Sequence, residues 1–170
     1  MGSKASANGA VAGALAAGIW AAQQPLDKRA FNCRYDDVEL LGKLFGGRGN
    51  WVVIGTAMHL INGAAFGAGF GFVEQRLPGP RVGKALSLAL AENFLLWPLG
   101  RITDRHHPAK AELVRLRANR RAFWQSTWRH VVFGFFLGAI EHYLDRSAST
   151  HEVPVASDGY KRSEPYGLAT

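Results

Sequence analysis

Four ionisable side chains in this 170-residue chain lie inside stretches that are otherwise apolar: His59, Glu92, Arg129 and His130. Held at one depth in a membrane, residues of these types can do three kinds of work. A carboxylate facing a guanidinium or an imidazole forms a buried ion pair that fixes the register of the helices carrying it. Glu92 and a histidine can exchange a proton or hold an ion or ligand, with Arg129 biasing the carboxylate toward ionisation. Two histidines on related helices can also ligate the iron of a b-type haem from both sides. The two histidines stand in matching surroundings. Thr56-x-x-His59-x-x-x-Gly63-x-x-x-Gly67 is repeated, at identical spacing, by Thr127-x-x-His130-x-x-x-Gly134-x-x-x-Gly138.

The elements that must position these residues are apolar helices long enough to cross a bilayer, for which about 20 residues are needed. No Asp, Glu, Lys or Arg occurs from Ala5 to Leu26 or from Gly49 to Val73. These stretches predict spans over about 7–24 and 50–73. Two further spans are expected over about 82–100, which includes Glu92 and Asn93, and 121–144, which includes Arg129 and His130. An isolated charge there would cost about 2.5–3.5 kcal/mol on insertion, so these two spans stand together, each compensating the other. The expected fold is all-α: a four-helix transmembrane bundle in one membrane domain, residues 1–146, followed by a polar, disordered tail over 147–170. Trp51, Trp97, Trp124 and Trp128 fall near span ends, as an aromatic belt requires. Lys4, the Ala- and Gly-rich run and Ala14-Leu15-Ala16 also allow a cleaved signal peptide, against which the repeat argues.

The matched motifs imply two helix hairpins related by duplication, with spans one and three corresponding, as do spans two and four. Copies that each cross twice share one orientation, a parallel repeat. A fainter match supports this: Trp20 precedes Asp27-Lys28 by the spacing at which Trp97 precedes Asp104-Arg105. Gly63, Gly67 and Gly71, and Gly134 with Gly138, form smooth stripes that let backbones approach closely, as in a glycine zipper. Depth arithmetic then gathers the polar residues. His59 lies eight residues after Trp51, Glu92 eight before Gly100 and Arg129 seven after Ala122. At 1.5 Å per residue all are roughly 11–12 Å from one surface. Asn62 and Asn93 join that level, giving a polar layer of His59, Asn62, Glu92, Asn93, Arg129 and His130, in which Glu92 is expected to face Arg129 or His130.

Between spans, Asp36 to Phe45 reads as a short amphipathic helix with an Asp N-cap and a stop at Gly46-Gly47, lying on the membrane surface. Pro78-Gly79-Pro80 is a tight turn, and Lys110 to Arg121 reads as a basic helix touching lipid headgroups. Charged residues make up only 19% of the chain against 48% apolar ones, and mean hydropathy is −0.05, because long basic loops are averaged with apolar helices. The net charge of +7 is localised: twelve of the twenty Lys and Arg fall in loops 25–49 and 101–120 and at the start of the fourth span. Positive-inside bias puts those loops in the cytoplasm and both termini outside. The basic residues are expected to meet anionic lipid rather than nucleic acid.

A lone cysteine, Cys33, excludes an internal disulfide and Cys-based metal centres. Phosphate loops, nucleophile elbows and paired metal-ligand motifs are missing, so no enzymatic activity, metal or cofactor is expected beyond the haem alternative at His59 and His130. His106-His107 reads as solvated loop. The stretch Met58-His59-Leu60 to Leu77-Pro78-Gly79, with Arg129-His130 to Leu144, resembles small bacterial inner-membrane proteins of the YagU-like kind. That resemblance implies a small multi-helix protein of the inner membrane, and no activity or site residues. The expected function is a structural or accessory membrane subunit, alone as a homo-oligomer or within a larger complex; the alternatives are a proton or ion conduit through the polar layer and a haem-binding electron carrier.

Overall fold

In the computed structural model, which describes residues 2–45 and 49–151, the first helix, α1 (Gly2–Ala30), covers the first expected span and overruns it at both ends. Alanine, the strongest helix former, dominates it, and Lys28 and Arg29 in its last turn complement the C-terminal carbonyls. The chain leaves α1 through Asn32, whose φ of 46° is left-handed, while the Cys33 N–H returns to the Lys28 carbonyl at 3.1 Å. Asparagine is the residue that, after glycine, best tolerates this conformation. Asp36 then caps α2 (Asp37–Phe45), its Oδ1 accepting the Glu39 N–H at 2.9 Å, as the expected N-cap should. The stop expected at Gly46-Gly47 lies outside the described residues.

Helix α3 (Trp51–Val73) runs into a 3-10 turn at Glu74–Arg76, and the Pro78-Gly79-Pro80 turn follows, with φ 99° at Gly79. Next come α4 (Arg81–Leu96), a 3-10 turn at Trp97–Leu99 around Pro98, α5 (Gly100–His106) and the long α6 (Arg120–His151). The described residues are thus helical and contain no strand. Helix α1 packs on α3, α4 packs on α6, and α1 against α6 joins the two pairs; α2 lies on α3.

Glycine sets the closeness of these contacts. A Cβ on Gly67 would overlap the Gly9 carbonyl of α1, one on Gly63 would meet Ala17 and Gly13, and one on Gly71 would overlap the Ala5 carbonyl. On the other pair, Gly134 faces Leu86 and Gly138 faces Val82 and Ala85 of α4. Small residues continue the interior: Ala12, Ala16, Ala17, Ala85 and Ala89 are buried with Trp20, Phe70, Phe133 and Leu137. Large apolar side chains point outward instead. Val53 is 73% exposed, Leu95 75% and Ile61 62%, an exterior that would be a large unpaired apolar patch in water. Two helical stretches, 5–30 and 51–76, are long and apolar enough to cross a membrane.

Four expectations are corrected. The segment 107–119 is turns and loop rather than a basic helix, because Asp104 holds it. Its carboxylate accepts the N–H groups of Leu116 at 2.9 Å and Arg117 at 2.8 Å, and Leu116 is drawn onto Gly100. Helix α6 therefore starts at Arg120, with the Asn119 side chain accepting the Ala122 N–H at 3.1 Å. The third expected span, 82–100, is helical throughout but is not one α-helix: α4 gives way around Pro98 to a 3-10 turn that leads directly into α5. At the other end, residues 147–151 prolong α6 instead of opening the tail, and 152–170 lie outside the described residues. His107 is also buried rather than solvated, accepting the Ala109 N–H on Nδ1 and bonding the Leu40 carbonyl through Nε2, both at 3.0 Å.

Candidate binding site: a polar cavity beside a buried arginine clamp

The polar residues of the expected layer separate into two neighbouring sites. The first is built on Arg129, whose side chain is completely buried in the second turn-pair of α6. Its Nε and Nη2 bind the two oxygens of Asp27 at 2.6 and 2.7 Å, its Nη1 binds Asp37 at 2.6 Å, and Nη2 also reaches the Tyr35 carbonyl at 3.0 Å. This is the two-pronged geometry in which a guanidinium offsets its own desolvation. Asp27 is saturated further by Gln125 at 2.6 Å and Gln23 at 2.7 Å. The clamp therefore ties the end of α1, the start of α2 and α6 together. Glu92 is not the partner of Arg129; the aspartates reach the guanidinium first, because the α1–α2 loop folds over the end of α6.

Asp37 and Tyr35 report the electrostatics of this clamp. Burial pushes the Asp37 carboxyl up, but the Arg129 charge and the bond from the Tyr35 hydroxyl outweigh it and hold it below its ordinary 3.8. Burial, and then the Asp37 charge, raises the Tyr35 phenol well above 10.0. A carboxyl lowered by folding stabilises the fold above its unfolded value, and that contribution is lost as pH falls through the folded one. Thermal stability in detergent micelles should accordingly fall as pH drops below about 3.8. Asp37→Asn should be less stable than the parent at pH 7, with the gap closing as the carboxyl of the parent becomes protonated in acid; a gap independent of pH would remove Asp37 from this role.

The second site is a cavity of about 270 Å³ between the two helix pairs, lined by His59, Asn62, Glu92, Asn93 and His130 of the expected layer. Helices α3, α4 and α6 each bring one or two of them, as the depth arithmetic requires. Asn93 is buried and fully used, donating to Thr127 Oγ1 at 3.0 Å and accepting from Ser126 at 2.8 Å, which locks α4 to α6. Glu92 approaches His130 Nε2 only to 3.8 Å, beyond hydrogen-bond reach. Trp20 packs against both histidines, its ring 5.0 Å from that of His59 and 4.8 Å from that of His130, edge-on to both. Tyr35, Phe66, Trp97 and Phe133 complete an aromatic wall.

A haem bridging His59 and His130 does not fit. The Trp20 indole packs edge-on against both imidazoles, and the backbones at Gly63 and Gly134, which would have made room for the ring, are in contact with α1 and α4. Among the described residues no group of three or more His, Cys, Asp or Glu is placed to hold a metal ion.

Sequence reasoning missed Asp27, Asp37 and Tyr35 as partners of Arg129, and Gln125 as a donor to Asp27. The available signal was Asp27 itself, placed seven residues after Trp20 at the end of a charge-free run. A second cluster, at the opposite end of the helices, was also missed: Arg81 binds Glu74 at 2.9 Å and Asp145 at 2.6 Å, and Lys84 reaches Glu74 at 3.3 Å. No family model, curated protein or solved structure matches the chain.

Proposed function

We propose that this chain is a four-span inner-membrane protein, two hairpins related by duplication and packed through glycine zippers, that acts as a non-catalytic binding or accessory subunit through the cavity between the hairpins. The observation that carries the reading is that cavity: His59, Asn62, Glu92 and His130 converge on one space from three helices. The apolar exterior and two long apolar helices support the membrane setting. So does the likeness of the His- and Gly-bearing stretches to YagU-like proteins. Arg129 is matched by Asp27 and Asp37, which makes α6 tolerable as a span.

The cavity supports a binding site better than a conduit. Between Glu92 and Lys84 on α4, and between His130 and Glu141 on α6, the sequence offers no titratable side chain over rises of about 12 and 16 Å. A proton relay needs closer stepping stones. A catalytic role lacks an activated nucleophile: Ser126 donates to Asn93, and Thr127 donates to the Phe123 carbonyl at 2.9 Å. At the loop end, Arg101, Arg105, Lys110, Arg115 and Arg117 surround a basic pocket, with the Asp104 carboxylate turned to the Leu116 and Arg117 N–H groups, suited to anionic lipid headgroups.

Single cysteines test the topology. In a Cys33→Ala background, Gly79→Cys and Lys110→Cys should react with a membrane-impermeant maleimide from opposite faces, Lys110→Cys from the cytoplasmic one. Labelling of both from one face would overturn the four-span arrangement, and release of the protein by alkaline carbonate would overturn the membrane reading.

A further inference from the structure

We propose that the cavity between the two helix pairs takes a small organic cation, an ammonium bearing N–H donors and a compact apolar body. The inference rests on the binding-site reading above and follows from which hydrogen-bonding atoms are left over. His130 Nδ1 lies 2.8 Å from the Ser126 carbonyl oxygen, so in the neutral ring Nδ1 carries the proton and Nε2 keeps its lone pair. The His59 ring is 95% buried and hydrogen-bonds to the Ala17 backbone, while its Nε2 has no partner. Ala17 lies inside α1, where the N–H is already used and only a carbonyl keeps a spare lone pair, so Nδ1 of His59 is the donor and Nε2, itself enclosed, is a second acceptor without a partner.

Glu92 adds two carboxylate oxygens whose nearest ionic neighbour is His130 Nε2 at 3.8 Å. The other carboxylate lining the cavity, Asp37, is already matched by Arg129. The remaining donors lining the space, the Asn62 amide and the Thr103 hydroxyl, are neutral. A neutral donor or two cannot hold an anion against Glu92. Acceptors converge on a positively charged donor, and the surrounding rings of Trp20, Phe66, Trp97 and Phe133 suit both a cation and its apolar body.

Phenethylammonium is a suitable probe, with phenethyl alcohol and phenylacetate as its neutral and anionic counterparts. Purified full-length protein in micelles should bind phenethylammonium saturably by calorimetry, with a change in tryptophan emission. The alcohol should bind at least tenfold more weakly and phenylacetate more weakly still. Glu92→Gln should weaken phenethylammonium at least tenfold while leaving phenethyl alcohol unchanged. Equal binding of the alcohol, tighter binding of phenylacetate, or indifference to Glu92→Gln would overturn the cation while leaving a ligand site. Saturable binding of none of the three would overturn the binding-site reading as well. Should Glu92→Gln not fold, the ranking of the three probes on the parent protein decides the matter.

Discussion

Arg129→Leu is expected to destabilise the protein by about 3–5 kcal/mol, the cost of removing one partner from a buried ion pair and stranding the others. Asp27 is 2% exposed and would be left as a buried carboxylate with only the Gln125 and Gln23 amides for company. Arg129→Lys should recover only part of the loss, since one ammonium cannot satisfy both Asp27 oxygens, Asp37 and the Tyr35 carbonyl. The diagnostic is the pair Arg129→Leu with Asp27→Asn, which removes both charges and should cost less than the sum of the two single changes. Unfolding midpoints in mixed micelles measure all four. A loss below about 1 kcal/mol for Arg129→Leu would show that the clamp is solvated rather than buried.

The second large effect is expected at Gly67. Its α-carbon faces the Gly9 carbonyl and Gly13 so closely that a Cβ would overlap main chain, which cannot swing aside as a side chain can. Gly67→Val should therefore cost about 1–3 kcal/mol or more by forcing α1 off α3. Two residues further along the same helix, Gly69 has nothing within 4 Å of an added Cβ. Gly69→Ala should be neutral or stabilising, since alanine exceeds glycine in helix propensity by about 0.8–1 kcal/mol. Equal losses at the two positions would mean that α1 and α3 are not in this register. Because the two glycines share one helix and one residue type, the contrast isolates the contact.

The helices were legible from the sequence because charge-free stretches and Gly/Pro punctuation are local signals. The Asp36 cap, the Pro78-Gly79-Pro80 turn and the meeting of His59, Asn62, Glu92 and His130 all follow from spacing along regular helices. What escaped is non-local. Nothing near Lys110 announces that Asp104 will capture the N–H groups of Leu116 and Arg117 and so prevent a helix there. The choice of Asp27 and Asp37 over Glu92 as partners of Arg129 depends on how the loop after α1 folds over α6, which no periodicity encodes. Placing polar residues by depth found the level and left the azimuth undetermined. That is why five of the six layer residues line the cavity and Glu92 comes to face His130, while the partners of Arg129 escaped.

The 3-10 turn at Trp97–Leu99 has a consequence for the lipid in the four-span arrangement proposed here. It stretches the chain where Pro98 interrupts the α-helix: the 16 residues of α4 rise about 24 Å and the three of the turn add about 6 Å, which together match a hydrocarbon thickness of about 30 Å. Under that proposal thicker bilayers have no spare apolar length on this segment to meet them, at fractions of a kcal/mol per ångström of mismatch. In reconstituted vesicles the stability of the protein should then fall as acyl-chain length increases.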